Sequence, residues 1–265
     1  MHPVLFRFGP VGVYSYGALI ALGGFAACRF WRPRRERMGL PSEDAFWLMV
    51  NLLIISGFVG GRVLYVFEYT RPWSGEFWSS LFSFSRGFSV MGAFVSVLAA
   101  LWWLARRVKT PFLNLLDYIV AATPLWHAFG RLGCFMAGCC FGRMTDVPWA
   151  VTFSDPHSLV DRPFLGYPLH PTQLYEALGD LVIAYSLIKF VLPKVESGRA
   201  PSGTVVCAYF ASYGLLRFVV EFYRGDTVPF YLGLTAAQAF ALAMIAGASL
   251  LFLYNRRCAS LCTQS

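Results

Sequence analysis

Charge is scarce in this chain of 265 residues: Asp, Glu, Lys and Arg together make up 14% of it. A water-soluble globule of this size carries roughly a quarter charged residues, because its surface must be solvated. Halving that fraction excludes an ordinary soluble enzyme and leaves most of the surface facing lipid. An even cysteine framework is also missing, since seven cysteines lie scattered without the spacing of a small secreted domain, so disulfides are not the organising principle. No charged leader with a small-residue cleavage pattern precedes the first apolar run, which is therefore expected to persist as a span. Nor is there an internal repeat or low-complexity tract, which weighs against an inverted-repeat transporter.

What is present is apolar: 57% of the residues are hydrophobic, 17% are aromatic, and the mean hydropathy is +0.55. The net charge of +8 does not point to nucleic acid, because a basic nucleic-acid domain would not be this apolar. It serves membrane topology and anionic lipid instead. A helix needs about 20 apolar residues to cross the hydrocarbon core. Seven segments qualify, at residues 11–30, 45–67, 88–105, 112–129, 171–192, 203–222 and 234–254, each bounded by Pro, Gly or charge. The expected fold is all-α and integral to the membrane: one transmembrane domain over residues 1–265, a bundle of about seven helices, with a sizeable extracytoplasmic loop region at 130–170 between spans four and five.

Lys and Arg alternate between the two sides. One side collects thirteen, at Arg29, Arg32, Arg34, Arg35, Arg37, Arg106, Arg107, Lys109, Lys189, Lys194, Arg199, Arg256 and Arg257. The other holds seven, at Arg7, Arg71, Arg86, Arg131, Arg143, Arg162 and Arg224. Positive loops stay in the cytoplasm, so the N-terminus is expected outside and the C-terminus inside. Arg62 and Arg217 are left within spans.

The strongest local signal is Gly130-Arg131-Leu132-Gly133-Cys134-Phe135-Met136-Ala137-Gly138-Cys139-Cys140-Phe141-Gly142-Arg143, where the fourth span meets the outer loop. Its glycines let the backbone turn or approach a head group, and Arg131 stands at phosphate depth. The bland alternative is an interfacial anchor beside small packing residues; the glycine spacing favours a site. Arg217 has apolar sequence on both sides, and a guanidinium within a span costs several kcal/mol unless paired or hydrated. It either faces inward as a functional group, pairs with Glu221 at i+4, or snorkels outward. Arg62, after Gly60 and Gly61 and six residues before Glu68, reads the same way. Three arginines facing one interior would make an anion cavity.

Cys134, Cys139 and Cys140, with His127 and His170, invite a zinc or redox reading. A four-residue gap followed by adjacent cysteines is not a usual zinc knuckle, so no metal is expected, and a disulfide on the oxidising face is better supported. Cys28, Cys207, Cys258 and Cys262 read as packing or surface thiols. His170-Pro171-Thr172-Gln173-Leu174-Tyr175-Glu176 opens the fifth span. Either Pro171 starts the helix while His170 and Thr172 solvate its end, or Gln173, Tyr175 and Glu176 point into a cavity where they hold a glycerol head group. Tyr14, Ser15, Tyr16 and Gly17 enter the first span, where an aromatic belt is the default and a buried hydroxyl would need a partner.

Taken in order, these landmarks resemble the prolipoprotein diacylglyceryl transferases of bacteria, seven-span inner-membrane enzymes that move diacylglyceryl from phosphatidylglycerol to a lipobox cysteine. The resemblance runs almost end to end. It rests on Tyr16-Gly17, Gly60-Gly61-Arg62-Val63-Leu64-Tyr65, the segment 130–143, Pro148-Trp149-Ala150-Val151, residues 170–176 and Tyr213 to Arg217. It implies catalytic roles for Arg131, Arg217, Tyr16 and Tyr213, and substrate contacts from Arg131, Arg62, Gly142, His170, Gln173 and Glu176. It also implies phosphatidylglycerol, prolipoprotein signal peptides with a lipobox cysteine and the lipid bilayer as partners, with no nucleic acid and no cofactor. Three departures stand out: Cys134 replaces a usual Asn, Cys139 a usual Glu, and Met91 a histidine important in well-studied members. Methionine cannot accept a proton. A non-catalytic lipid-binding or transport paralogue and a thiol-redox membrane protein are the competing readings.

Overall fold

The computed structural model describes residues 4–8, 11–83 and 87–262; Arg86 and the side chains of Arg7, Arg256, Arg257, Cys258 and Cys262 lie outside that description. From the N-terminus run an antiparallel hairpin (β1, Val4–Phe8; β2, Val11–Tyr14), α1 (Ser15–Trp31), α2 (Glu43–Tyr69), α3 (Gly75–Phe82), α4 (Val90–Val108) and α5 (Phe112–Ala137). A second small pair (β3, Val151–Thr152; β4, Pro168–Leu169) precedes α6 (Thr172–Ser186), a π turn (Leu187–Val191), α7 (Leu192–Glu196) and α8 (Thr204–Glu221). A last hairpin (β5, Pro229–Tyr231; β6, Leu234–Thr235) leads into α9 (Ala236–Cys262).

Four of these helices are long and apolar enough to cross a membrane: α2, α4, α8 and the Ala236–Asn255 part of α9. Their flanks carry large exposed apolar side chains, among them Ile54, Ile55 and Phe58 on α2. In water that surface would be uncompensated; against acyl chains it is matched. This is a mostly helical membrane protein. Each of the seven expected segments overlaps a helix, but among the described residues four helices have the length and apolarity of a membrane span, and four bounds shift. Residues 11–14 are strand, so the first helix starts at Ser15. The fourth continues to Ala137, so the first residues assigned to the outer loop are helical. The fifth is interrupted by the π turn, and the last begins at Ala236 behind a hairpin. That final start is a reciprocal cap, in which the Gln238 amide oxygen accepts from the Thr235 N–H at 3.0 Å and the Thr235 hydroxyl from the Gln238 N–H at 3.2 Å.

The chain divides into two compact units, Arg32–Leu115 and the combination of Met1–Trp31 with Leu116–Ser265. Within the first of these, α2 packs along α4. Ser42 caps α2 by accepting from the Ala45 N–H at 3.1 Å, and Glu43 and Asp44 complement the positive end of its dipole. Ser74 caps α3 in the same way through Phe77, which explains a short helix that the hydropathy pattern did not announce.

In the other unit, α1 is tied to α5 by two indole donors, Trp31 to the Tyr118 carbonyl and Trp126 to the Ile20 carbonyl, each at 3.0 Å. The fully buried Asp117 on α5 caps α8: its carboxylate accepts from the Gly203 N–H at 2.6 Å and the Val206 N–H at 3.0 Å. Those are orphan donors that no residue of α8 itself can satisfy. The segment between α5 and α6 has its own small core of Phe141, Phe153, Val160 and Leu169, with Phe135 and Phe164 packed against it. Four such buried side chains contribute roughly 1.5–3 kcal/mol each, enough to give an otherwise irregular connection a fixed shape.

Candidate active site

Residues four apart on a helix share a face. On α5 these are His127 and Arg131; on α6, Glu176 and Asp180; on α8, Tyr213, Arg217 and Glu221. The three helices bring those faces together in two layers. In the upper layer Arg131 Nε lies 2.7 Å from Glu176 Oε2, Arg217 Nη1 lies 3.3 Å from Glu176 Oε1, and Arg217 Nη2 lies 2.6 Å from Glu221 Oε2. The second Glu221 oxygen accepts from the Thr235 hydroxyl at 2.7 Å. One turn away, His127 Nδ1 lies 3.2 Å from Asp180 Oδ2, and the His127 and Tyr213 rings stand 5.1 Å apart.

The charges of the upper layer balance, two guanidiniums against two carboxylates. Both glutamates are fully buried, and a buried carboxylate persists only where cations or hydrogen bonds replace its water. The arginines keep 13% and 16% of their side-chain surface open. Arg131 meets Glu176 as a charge contact, not as a linear hydrogen bond from its Nε–H. A guanidinium has five N–H donors, so both arginines retain donors for an incoming anion. The i+4 pair that was the structural alternative for Arg217 is therefore present, and Glu176 joins it to Arg131.

The segment after α5 is folded onto the start of α6. Gly138, at φ +83°, ends the helix in the left-handed region that suits glycine, and Cys140 follows at φ +61°. The fully buried Thr172 and Gln173 hold this reversal: the Thr172 hydroxyl donates to the Cys140 carbonyl and the Gln173 amide to the Cys139 carbonyl, each at 2.8 Å. The Gln173 donor thus serves the backbone of the signature segment. At Gly142 three stretches of the chain meet, its N–H donating to the His170 carbonyl at 3.1 Å while the Arg143 N–H donates to the Tyr223 carbonyl at 2.8 Å. A Cβ there would run into the His170 carbonyl and lie 2.9 Å from that of Tyr223.

His170 Nδ1 lies 3.1 Å from the Tyr175 hydroxyl, which accepts from the Trp149 indole at 2.7 Å. Burial lowers the His170 pKa from its ordinary value, which favours the neutral ring. Nearby, burial alone would lower the Arg224 pKa, but two 2.7 Å hydrogen bonds to Asp226 outweigh it and raise it. Tyr16, near the start of α1, packs on Gly133 and leaves 45% of its surface open.

Arg62 belongs to the 32–115 unit, where it is buried and donates to the Gly87 carbonyl at 2.9 Å and to the Ser80 carbonyl, with its guanidinium 5.5 Å from the Tyr65 ring centre. Met91 is on α4 of that unit, half exposed. Asp180 was not singled out from sequence, and His127 only as a metal ligand. Their signal was the i, i+4 offset shared by 127/131, 176/180 and 217/221.

Comparison with known proteins gives one consistent result. The family model described as prolipoprotein diacylglyceryl transferase matches residues 3–254. Proteins named phosphatidylglycerol--prolipoprotein diacylglyceryl transferase are similar along most of their length. That of Clostridium tetani is 34% identical over 85% of this chain and 86% of its own, and that of Photorhabdus laumondii 31% identical over 95% and 91%. The protein of that name from Geobacter sulfurreducens is 34% identical over 84% and 82%.

Proposed function

The chain belongs to the prolipoprotein diacylglyceryl transferase family, and on that premise we propose that it transfers the diacylglyceryl group of phosphatidylglycerol to the lipobox cysteine of a prolipoprotein. The observation that carries this reading is the Arg131–Glu176–Arg217 cluster, two guanidiniums held side by side by one buried carboxylate.

The thiol sulfur attacks the glyceryl carbon that bears the phosphate. A C–S bond forms, the C–O bond breaks, its electron pair leaves on glycerol phosphate, and the thiol proton must go elsewhere. A neutral thiol is a poor nucleophile and a phosphate ester leaves slowly, so the site has to favour thiolate and hold anionic charge at the leaving oxygen. Arg131 grips the head-group phosphate, and Arg217 steadies the leaving oxygen and the incoming sulfur; arginine does this bidentately and stays charged in a low dielectric. Glu176 fixes the spacing between them. His127, backed by Asp180, is the group of this cluster suited to take the proton, a role that typically contributes 10²–10⁴-fold. Tyr16 and Tyr213 orient the reactants. Gly142, His170 and Gln173 keep the signature segment in place, and Arg62 does the same for its own unit.

The surrounding frame is one transmembrane domain of about seven spans in the bacterial inner membrane. Its N-terminus and the 130–170 region lie outside and its C-terminus in the cytoplasm, and the acyl chains extend between helices into the bilayer. The purified protein in vesicles containing phosphatidylglycerol should convert a lipobox peptide to one heavier by a diacylglyceryl group. Vesicles of phosphatidylcholine alone should give no product. A peptide of unchanged mass in both would refute the reading.

A further inference from the structure

The three cysteines of the signature segment play no part in the scheme above, yet the fold gathers them. The sulfurs of Cys134, Cys139 and Cys140 all lie within 4.8 Å of one another. The reversal at Gly138 brings the helical Cys134 against the two that follow it, and Thr172 and Gln173 pin the carbonyls of Cys140 and Cys139. The linear spacing is unlike a zinc knuckle, but geometry and not spacing is what a metal reads. Three thiolates 2.3 Å from a tetrahedral ion stand about 3.8 Å apart. Closing the cluster to that distance needs side-chain movements of roughly an ångström.

We infer that Cys134, Cys139 and Cys140 bind one soft metal ion of the zinc class, whose fourth position takes the client's cysteine sulfur. The inference rests on the transferase reading and adds to it the device that makes the thiol reactive. Loading one dication onto three thiols releases three protons and leaves a site of net charge −1. That charge has a counter-ion ready: Arg131 Nη1 lies 3.7 Å from Cys140 Sγ. Three protein ligands leave a tetrahedral ion one open position, the arrangement of catalytic zinc sites and not of structural ones. A thiol entering it binds as thiolate, its proton passing to His127 as in the transfer scheme. Sulfur attack on the glyceryl carbon then forms the C–S bond as the C–O bond breaks toward glycerol phosphate. The resulting thioether carries no charge and is a weaker ligand than the thiolate it replaces, which frees the product. A disulfide between Cys139 and Cys140 does not compete well, because Cα atoms across a trans peptide are only about 3.8 Å apart and disulfides span 4.4–6.8 Å.

The test begins with elemental analysis of protein purified from zinc-supplemented cells and dialysed without chelator. About one zinc per chain is expected in the wild type and none in Cys139→Ser or in the triple serine variant. Should those variants fail to fold, thiol alkylation of the wild type gives the same reading, since zinc should shield all three cysteines and chelation should expose them. Chelation should also lower lipobox-peptide transfer at least tenfold, and added zinc should restore it. Transfer at full rate by zinc-free protein would overturn the inference and leave the transferase reading intact. Stoichiometric zinc shielded by these cysteines in a chain that transfers nothing would overturn the transferase reading. A zinc content equal to that of the triple variant, or alkylation unaffected by zinc, would overturn the site.

Discussion

Arg131 Nε and Glu176 Oε2 stand 2.7 Å apart, and the other oxygen of the same carboxylate reaches Arg217 at 3.3 Å. One buried acid on α6 therefore sets the separation of the two cations on α5 and α8. Without it Glu221, paired with Arg217 at 2.6 Å, would be the one carboxylate of the cluster left to offset two guanidiniums.

Glu176→Gln keeps the shape and one carbonyl oxygen but removes the charge. Transfer should fall at least tenfold, while affinity for phosphatidylglycerol rises or holds, because the arginines lose a competitor for the anion. Weaker lipid binding with an unchanged turnover would contradict that role; a vesicle-binding assay beside the transfer assay separates the two.

Asp117→Ala removes the acceptor of two buried N–H groups at the start of α8, the helix that carries Tyr213, Arg217 and Glu221. Hydrogen bonds to a charged group contribute about 1.5–3 kcal/mol each, and orphaned donors add their desolvation cost. The variant should unfold at clearly lower temperature or denaturant than wild type, whereas Asp117→Asn, which keeps one acceptor, should lose about half as much. Equal stability of all three would show that water caps the helix instead.

The pH profile should carry an acid limb from His170. Its folded pKa is lowered by burial, so its contribution is complete above the unfolded value of about 6.5 and is lost as the pH falls through the folded value. Activity should hold from pH 8 to about 6.5 and decline below, as protonation disturbs the contact with Tyr175. In His170→Gln that limb should shrink. A limb of unchanged depth in the variant would assign it to another group.

The long helices were legible because their sequences are apolar runs closed by charge, Pro or Gly, four of them of membrane length, whereas the short α3 and α7 carry no such run. The two hairpins were not: residues 11–14 and Leu234 are apolar and one threonine does not break the run that follows, so hydropathy gives no boundary where the strand ends. Arg131 and Arg217 were legible because a charge inside or at the edge of a span demands a reason, and Glu176 because it opens a span. Asp180 and His127 were obscured by being single polar residues within long apolar stretches. Arg62 and Gln173 show the opposite limit. Both looked like ligand-facing groups, but their donors meet carbonyls far along the chain, Gly87 for one and Cys139 for the other, and such tertiary ties leave no local pattern.

Lysine in place of arginine keeps the charge and loses the planar fork, so it isolates bidentate phosphate recognition from simple electrostatics. The most direct measurement is therefore the transfer rate and lipid affinity of Arg131→Lys and Arg217→Lys, each in phosphatidylglycerol vesicles with a lipobox peptide. Both should transfer at least tenfold more slowly, equivalent to about 1.4 kcal/mol of transition-state stabilisation. Arg131→Lys should also bind the lipid more weakly, whereas Arg217→Lys should bind it nearly normally and turn over slowly. Near-wild-type rates in both would contradict the account and leave the two arginines as structural charges.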